Sequence, residues 1–202
     1  MEEHLPNHYV YSPNVIEFVT VVAETCLFLE RLAEHSPAEF VDKSVKILPL
    51  LYLKASLVGI PERELDEEPE RFVTEDDYRY LCEGIARLLG KDDSYLEVFH
   101  PDMAYSDAPV AAFISENIAD IYQELKDFAA NYRLGEEEIM NDALAVCLDA
   151  FGEHWGQKLL GTLRALHALR YDSEFGEDEK GEKQDYPKID RNRFLNYQAT
   201  AP

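Results

Sequence analysis

Two consecutive stretches of the chain carry the apolar rhythm of long amphipathic helices, and little else can be built around them. In the first, Val110, Ile114, Ile118, Ile121, Leu125 and Phe128 recur every three or four residues. In the second, Met140, Leu144, Cys147, Phe151, Trp155, Leu159, Leu163, Leu166 and Leu169 do the same over about 30 residues, a spacing that places them along one side of a 3.6-residue helix. Glu136 to Glu138 stand at its start and Arg164, His167 and Arg170 near its end, which suits the helix dipole at both ends. The short join between the stretches predicts a long antiparallel helical hairpin.

The upstream segments read the same way. Ser12-Pro13 opens a helix in which Val15, Phe18, Val22, Cys26 and Leu29 form the core face. Ser36 and Glu39 have the spacing of a capping box, and the helix they start contains Pro49. Ile47, Leu50, Leu53 and Leu57 lie off its main apolar face, so it reads as apolar all round and hence as a buried, central helix. Residues 62–71 form an acidic surface loop. Thr74 caps a third helix with Tyr78, Leu81, Cys82, Ile85, Leu88 and Leu89 inward and Gly90 as its stop. No stretch alternates with period two, so no sheet is expected. Tyr95 to Phe99 is one helical turn or an extended contact. The expected architecture is all-α: a bundle of about five to six helices over residues 1–171. The acidic tail 172–202 is poor in aliphatic residues, with Phe194, Leu195 and Tyr197 able to dock back on the domain.

Composition narrows the function. With 41 acidic against 19 basic residues, the formal charge is −22. Phosphate backbones and anionic membrane surfaces repel such a chain, so neither nucleic acid nor membrane is an expected partner; basic proteins or cations are compatible with the charge, which otherwise serves to keep the chain soluble. Cys26, Cys82 and Cys147 are widely spaced and lie in apolar helical segments, so they read as small hydrophobic residues and not as a disulfide framework. The N-terminus lacks the pattern of a signal peptide, and no apolar run approaches the roughly 18 residues of a membrane span. A cytoplasmic location follows.

The acids around the hairpin turn are the main candidate chemistry. Glu124, Asp127, Glu138 and Asp142 would come near one another, and hard divalent cations take oxygen ligands of that kind. On a helical wheel, however, Glu116, Asp120 and Asp127 fall roughly 110 to 150° from the apolar stripe, with Glu124 about 70° off it. Glu138 and Asp142 lie on the far side from Cys147 and Phe151. A solvated acidic face is therefore the expectation. His154 and Lys158 flank the apolar face and could line a pocket, with Lys158 paired to an acid. Lys54 would need a carboxylate if buried. His4 and His8 are four apart, but Pro6 stands between them. Twelve tyrosines, among them Tyr9, Tyr11, Tyr78, Tyr80, Tyr95, Tyr105 and Tyr122, read chiefly as seals at the core edge. No nucleophile triad, phosphate loop or zinc motif is present.

Several separated segments, FVTVVAE (18–24), LPLLYLKASLV (48–58), RFVTEDDYRYL (71–81), LLGKDDSYLEVF (88–99), ISENIADIYQELKDF (114–128) and HWGQKLLGTLRALHAL (154–169), resemble a family of bacterial proteins, mostly from Bacteroidetes, catalogued as domain of unknown function 5063. The resemblance covers roughly residues 15 to 170 and implies a soluble bacterial helical domain without assigned activity, so it transfers no site residues. The tail lies outside it. Two functions are therefore expected, in order. The first is a non-enzymatic cytoplasmic helical protein that binds a protein partner, with no cofactor and no catalytic or metal residue assigned. The second is a divalent-metal-dependent phosphohydrolase of a small molecule, acting through Glu124, Asp127, Glu138 and Asp142.

Overall fold

The structure, a computed structural model, describes residues 8–97, 110–173 and 175. Six helices account for most of the described residues: α1 (Pro13–Glu30), α2 (Pro37–Ser56), α3 (Glu75–Leu89), α4 (Ile114–Tyr132), α5 (Glu137–Ala150) and α6 (Gly156–Arg170). A single π turn, Phe151–Trp155, joins α5 to α6, so the two run on as one long rod. This is the long last helix that the apolar rhythm predicts. Its antiparallel partner is α4, with Gly135 (φ 82°) in the turn between them, a backbone conformation that favours glycine.

The helix starts follow their local chemistry. Ser36 and Glu39 form the reciprocal capping box of α2, with Pro37 in its first turn. Thr74 and Asp77 do the same for α3. The cap of α4 comes from elsewhere. Buried Asp93 reaches from 22 residues upstream, accepting from the Ser115 amide at 2.8 Å and from its hydroxyl at 2.7 Å. It thereby satisfies free donors in the first turn and places a carboxylate at the positive end of the helix.

Two sequence expectations are corrected. A small antiparallel sheet is present: β1 (Ser94–Glu97) pairs with β2 (Val110–Phe113), Ser94 facing Phe113 and Glu97 facing Val110. Val110 therefore belongs to a strand, and α4 begins at Ile114. Second, the central helix is α4, which packs on α1, α3, α5 and α6. α2 packs on α1 and α6 with Phe40, Val41, Leu48, Leu51 and Ala55 inward. Its other side is open: Leu50, Leu53 and Leu57 are 44%, 52% and 51% exposed. The extra leucines of α2 thus make a second apolar face with nothing over it among the described residues.

Phe18, Phe40, Leu51, Ile85, Ile118, Leu125, Leu144, Trp155 and Leu159 fill the core that these helices share. Cys26 and Cys147 are buried free thiols and Cys82 is half-buried. Among the described residues, no helix is long and apolar enough to cross a membrane. Residues His4 and Tyr105, and the tail positions Phe194, Leu195 and Tyr197, lie outside the described residues.

Candidate functional site

Between α2 and α3 the chain runs as a strap without helix or strand, through the acidic run 62–70. A strap of this kind must find partners for its backbone polar groups, and side chains from the α4–α5 hairpin supply them. Near its start, Asp142 is buried and accepts from the Glu64 amide at 2.7 Å and the Leu65 amide at 3.0 Å. The Arg63 guanidinium adds a longer bond at 3.4 Å. Asn141 donates to the Glu62 carbonyl at 2.7 Å. Near its end, Asp127 accepts from the amides of Phe72 at 2.7 Å and Val73 at 2.8 Å, while Asn131 donates to the Glu70 carbonyl at 2.8 Å. One Asp–Asn pair therefore latches each end of the strap.

The two aspartates titrate in opposite directions, and their geometry explains why. Burial disfavours the charge of Asp142, but the two backbone amides, Asn141 and Arg63 outweigh it and hold its carboxyl below the usual range. Both of its oxygens are engaged, so a proton would displace a donor. Burial also disfavours the charge of Asp127, and here it wins over the two amides, so the carboxyl is raised. Both amides bond its Oδ1, which leaves Oδ2 open to a proton without loss of either bond.

Beneath the strap lies a cleft of about 190 Å³, walled by Arg71, Glu124, Asp127, Phe128, Val146 and Cys147 among others. The Glu124 carboxylate makes no hydrogen bond among the described residues. Burial pushes its carboxyl up, against the opposing pull of Arg71. Cys147 is no nucleophile at neutral pH, because complete burial raises its thiol well above the ordinary value.

The four carboxylates of the metal reading are thus dispersed. Glu124 and Asp127 share the cleft, Asp142 is spent on the other end of the strap, and Glu138 is exposed. Among the described residues, no group of three or more histidine, cysteine, aspartate or glutamate side chains is placed to hold a metal ion. The ligand set on which the phosphohydrolase alternative depended is not assembled. The expectation of a solvated acidic face is also corrected, since the strap covers Asp127 and Asp142.

Most of the remaining candidates have structural partners. Lys158 is ion-paired with Asp120, which also accepts from the Tyr78 hydroxyl at 2.8 Å. Lys54 pairs with Glu17 at 2.5 Å. His154 is exposed on the π turn. His8 meets Glu64 of the strap at 3.0 Å. Several tyrosines serve as internal ties: Tyr9 both donates to and accepts from Gly59, Tyr122 donates to Glu30, and Tyr132 donates to the Val10 carbonyl. Sequence reasoning missed Asn131 and Asn141. The available signal was an asparagine among buried helical positions, where its side chain competes with the helix unless it has another partner.

Because burial disfavours the charged form of Glu124, Glu124→Gln should raise the melting temperature at pH 7. The raised carboxyl contributes stability that is present below its unfolded value and lost as pH rises through its folded one. The gain should therefore vanish at pH 4; a lower melting temperature for the variant at pH 7 would show that the charge is needed.

A family model described as "Domain of unknown function (DUF5063)" matches residues 9–172. No curated protein matches the chain. A crystal structure of a Bacteroides fragilis protein, solved as a structural-genomics target, is 47% identical, with a TM-score of 0.74 over 82% of this chain and 97% of that one.

Proposed function

The chain belongs to the family of domain of unknown function DUF5063, and from that premise we propose that it is a non-enzymatic, cytoplasmic module that binds a protein partner. The observation that carries this reading is the open side of α2. Leu50, Leu53 and Leu57 follow one another at helical spacing, and Ile60, three residues further along the chain, is 57% exposed. Single exposed leucines are ordinary, but a contiguous row on a helix is the kind of surface that partners cover. The opposite side of the same helix is well packed, with Phe40, Val41, Leu48, Leu51 and Ala55 in the core, so the open row is no consequence of a loose seat for α2. The strap chemistry supports the reading as well: its aspartates bond backbone amides, which is the work of a scaffold.

The replacement Leu50→Ser, Leu53→Ser, Leu57→Ser tests it. All three side chains are about half exposed, so the triple variant should keep the wild-type helical signal and melt close to wild type. In cross-linking within the native host, at least one adduct formed by the wild type should be lost from the variant. Identical adducts for the two proteins, or none for either, would remove the reading.

A further inference from the structure

The acidic rim beside the α2 row narrows the partner. We propose that the segment seated on this face is a basic amphipathic helix, its apolar stripe against Leu50, Leu53, Leu57 and Ile60 and its basic residues over the carboxylates at the start of the strap. This rests on the protein-binding reading above and goes one step further.

Three features converge on that occupant. The first is spacing. Leu50, Leu53 and Leu57 stand at i, i+3 and i+7, a stripe of about 10 Å along the helix axis, which a second helix matches with apolar residues at the same periodicity. The second is charge. In sequence the row leads directly into the strap, where Glu62, Asp66 and Glu67 are exposed, while Glu64 faces His8 and the strap's own cation, Arg63, is paired with Glu68. The two lysines nearest the row offer little opposition, because Lys46 is paired with Asp42 and Lys54 with Glu17. A second copy of this chain would bring its own rim, at a net −22 per chain, against the first. An acidic peptide would meet the same repulsion.

The third is order. The strap is an irregular segment, yet its backbone at Glu62, Glu64 and Leu65 is held by Asn141 and Asp142. The carboxylates next to the row are thus carried on a fixed backbone. A basic partner finds them already placed and loses less entropy in ordering them.

Fluorescence anisotropy with the full chain and three labelled 18-residue peptides tests the proposal. One peptide is a leucine–lysine sequence with amphipathic helical spacing, the second has the same composition in non-amphipathic order, and the third replaces each lysine by glutamate. The leucine–lysine helix should bind, at least tenfold more tightly than either other peptide. The triple leucine-to-serine variant should weaken it at least tenfold. Glu62→Gln with Asp66→Asn and Glu67→Gln should weaken it and flatten its salt dependence, while leaving the latches at Asn141 and Asp142 untouched. Equal binding of the permuted peptide, or indifference to the leucine substitutions, would overturn the proposal. Tighter binding of the glutamate peptide would overturn it too, leaving the α2 row as a docking face for another chemistry. If no peptide bound while the host adduct still required the leucines, this inference would fall and the protein-binding reading would stand; loss of both would remove both.

Discussion

Replacing Asp142 by alanine will destabilise the fold by about 3 kcal/mol, with hydrogen bonds to a charged acceptor contributing roughly 1.5–3 kcal/mol each and orphaned donors adding to the loss. The residue is 1% exposed and accepts from two strap amides and one arginine. Its removal leaves the Glu64 and Leu65 amides two choices. They can stay in place without an acceptor, or the start of the strap can lift into water and give up its packing. The second route limits the loss, which is why the expected cost is below the sum of three bonds. For a domain of this size the melting temperature should fall by roughly 6–12 °C. Glu138→Ala, four residues earlier on the same helix but exposed, should stay within about 0.5 kcal/mol of wild type. Urea unfolding of both variants is the measurement, and an Asp142→Ala cost below about 1 kcal/mol, the worth of one ordinary bond, would show that the latch is decorative.

Acid should act on the strap unevenly. The depressed carboxyl of Asp142 contributes stability present above its unfolded value, near 4, and lost as pH falls through its folded one. Asp127 has the opposite sign: its contribution is full below the unfolded value and declines as pH rises through the raised folded one. The Glu64 and Leu65 amides should therefore lose hydrogen-exchange protection in acid before those of Phe72 and Val73.

This latch also shows where sequence reading stops. The helical wheel places Asp127 and Asp142 away from the hairpin's apolar seam, and relative to that seam the reading is correct. It equates the far side with solvent, and that step fails because the strap arrives from more than 50 residues away. No local pattern announces a long-range backbone contact. The two strands were illegible for a related reason. Each has four residues, and Val110, Ile114 and Ile118 keep a helical spacing straight through the strand-to-helix junction. The Ser36–Glu39 capping box, by contrast, lies within four consecutive residues and is fully legible, as is Thr74 as the cap of α3, although the answering Asp77 side chain is not. Apolar residues on every side of α2 imply burial only if a neighbour exists for every side. Here α1 and α6 cover part of the helix and the rest is open.

A glycine-to-alanine change at two positions four residues apart should have opposite signs. Gly156→Ala should cost about 3 kcal/mol, at the upper end of what overpacking a fixed backbone does. Its amide donates to the Phe151 carbonyl, closing the π turn, and an added Cβ would stand 2.4 Å from that oxygen and 3.0 Å from the Phe151 ring. Both obstacles belong to the same rod, so neither can move without unwinding the turn. Gly152→Ala meets nothing within 4 Å and should stabilise by about 0.5–1 kcal/mol, the usual gain of alanine over glycine in a helix. The turn has a visible cause in the sequence. Cys147, Phe151, Trp155, Leu159 and Leu163 are separated by four successive steps of four, and each step drifts about 40° on an α-helix. One wider turn rewinds much of that drift. It keeps Leu159 and Leu166 inward against α2 and α4 while Leu144 and Leu148 face α4 from the other half. It also sets Phe151 edge-on to Tyr52 of α2 and lets the Trp155 indole donate to the Cys147 carbonyl at 2.9 Å. Loss of the turn should therefore disturb the seat of α2, and with it the leucine row on the opposite side. Urea unfolding decides the stability claim: if the two variants shift in the same direction, the π turn is not what requires a glycine at 156.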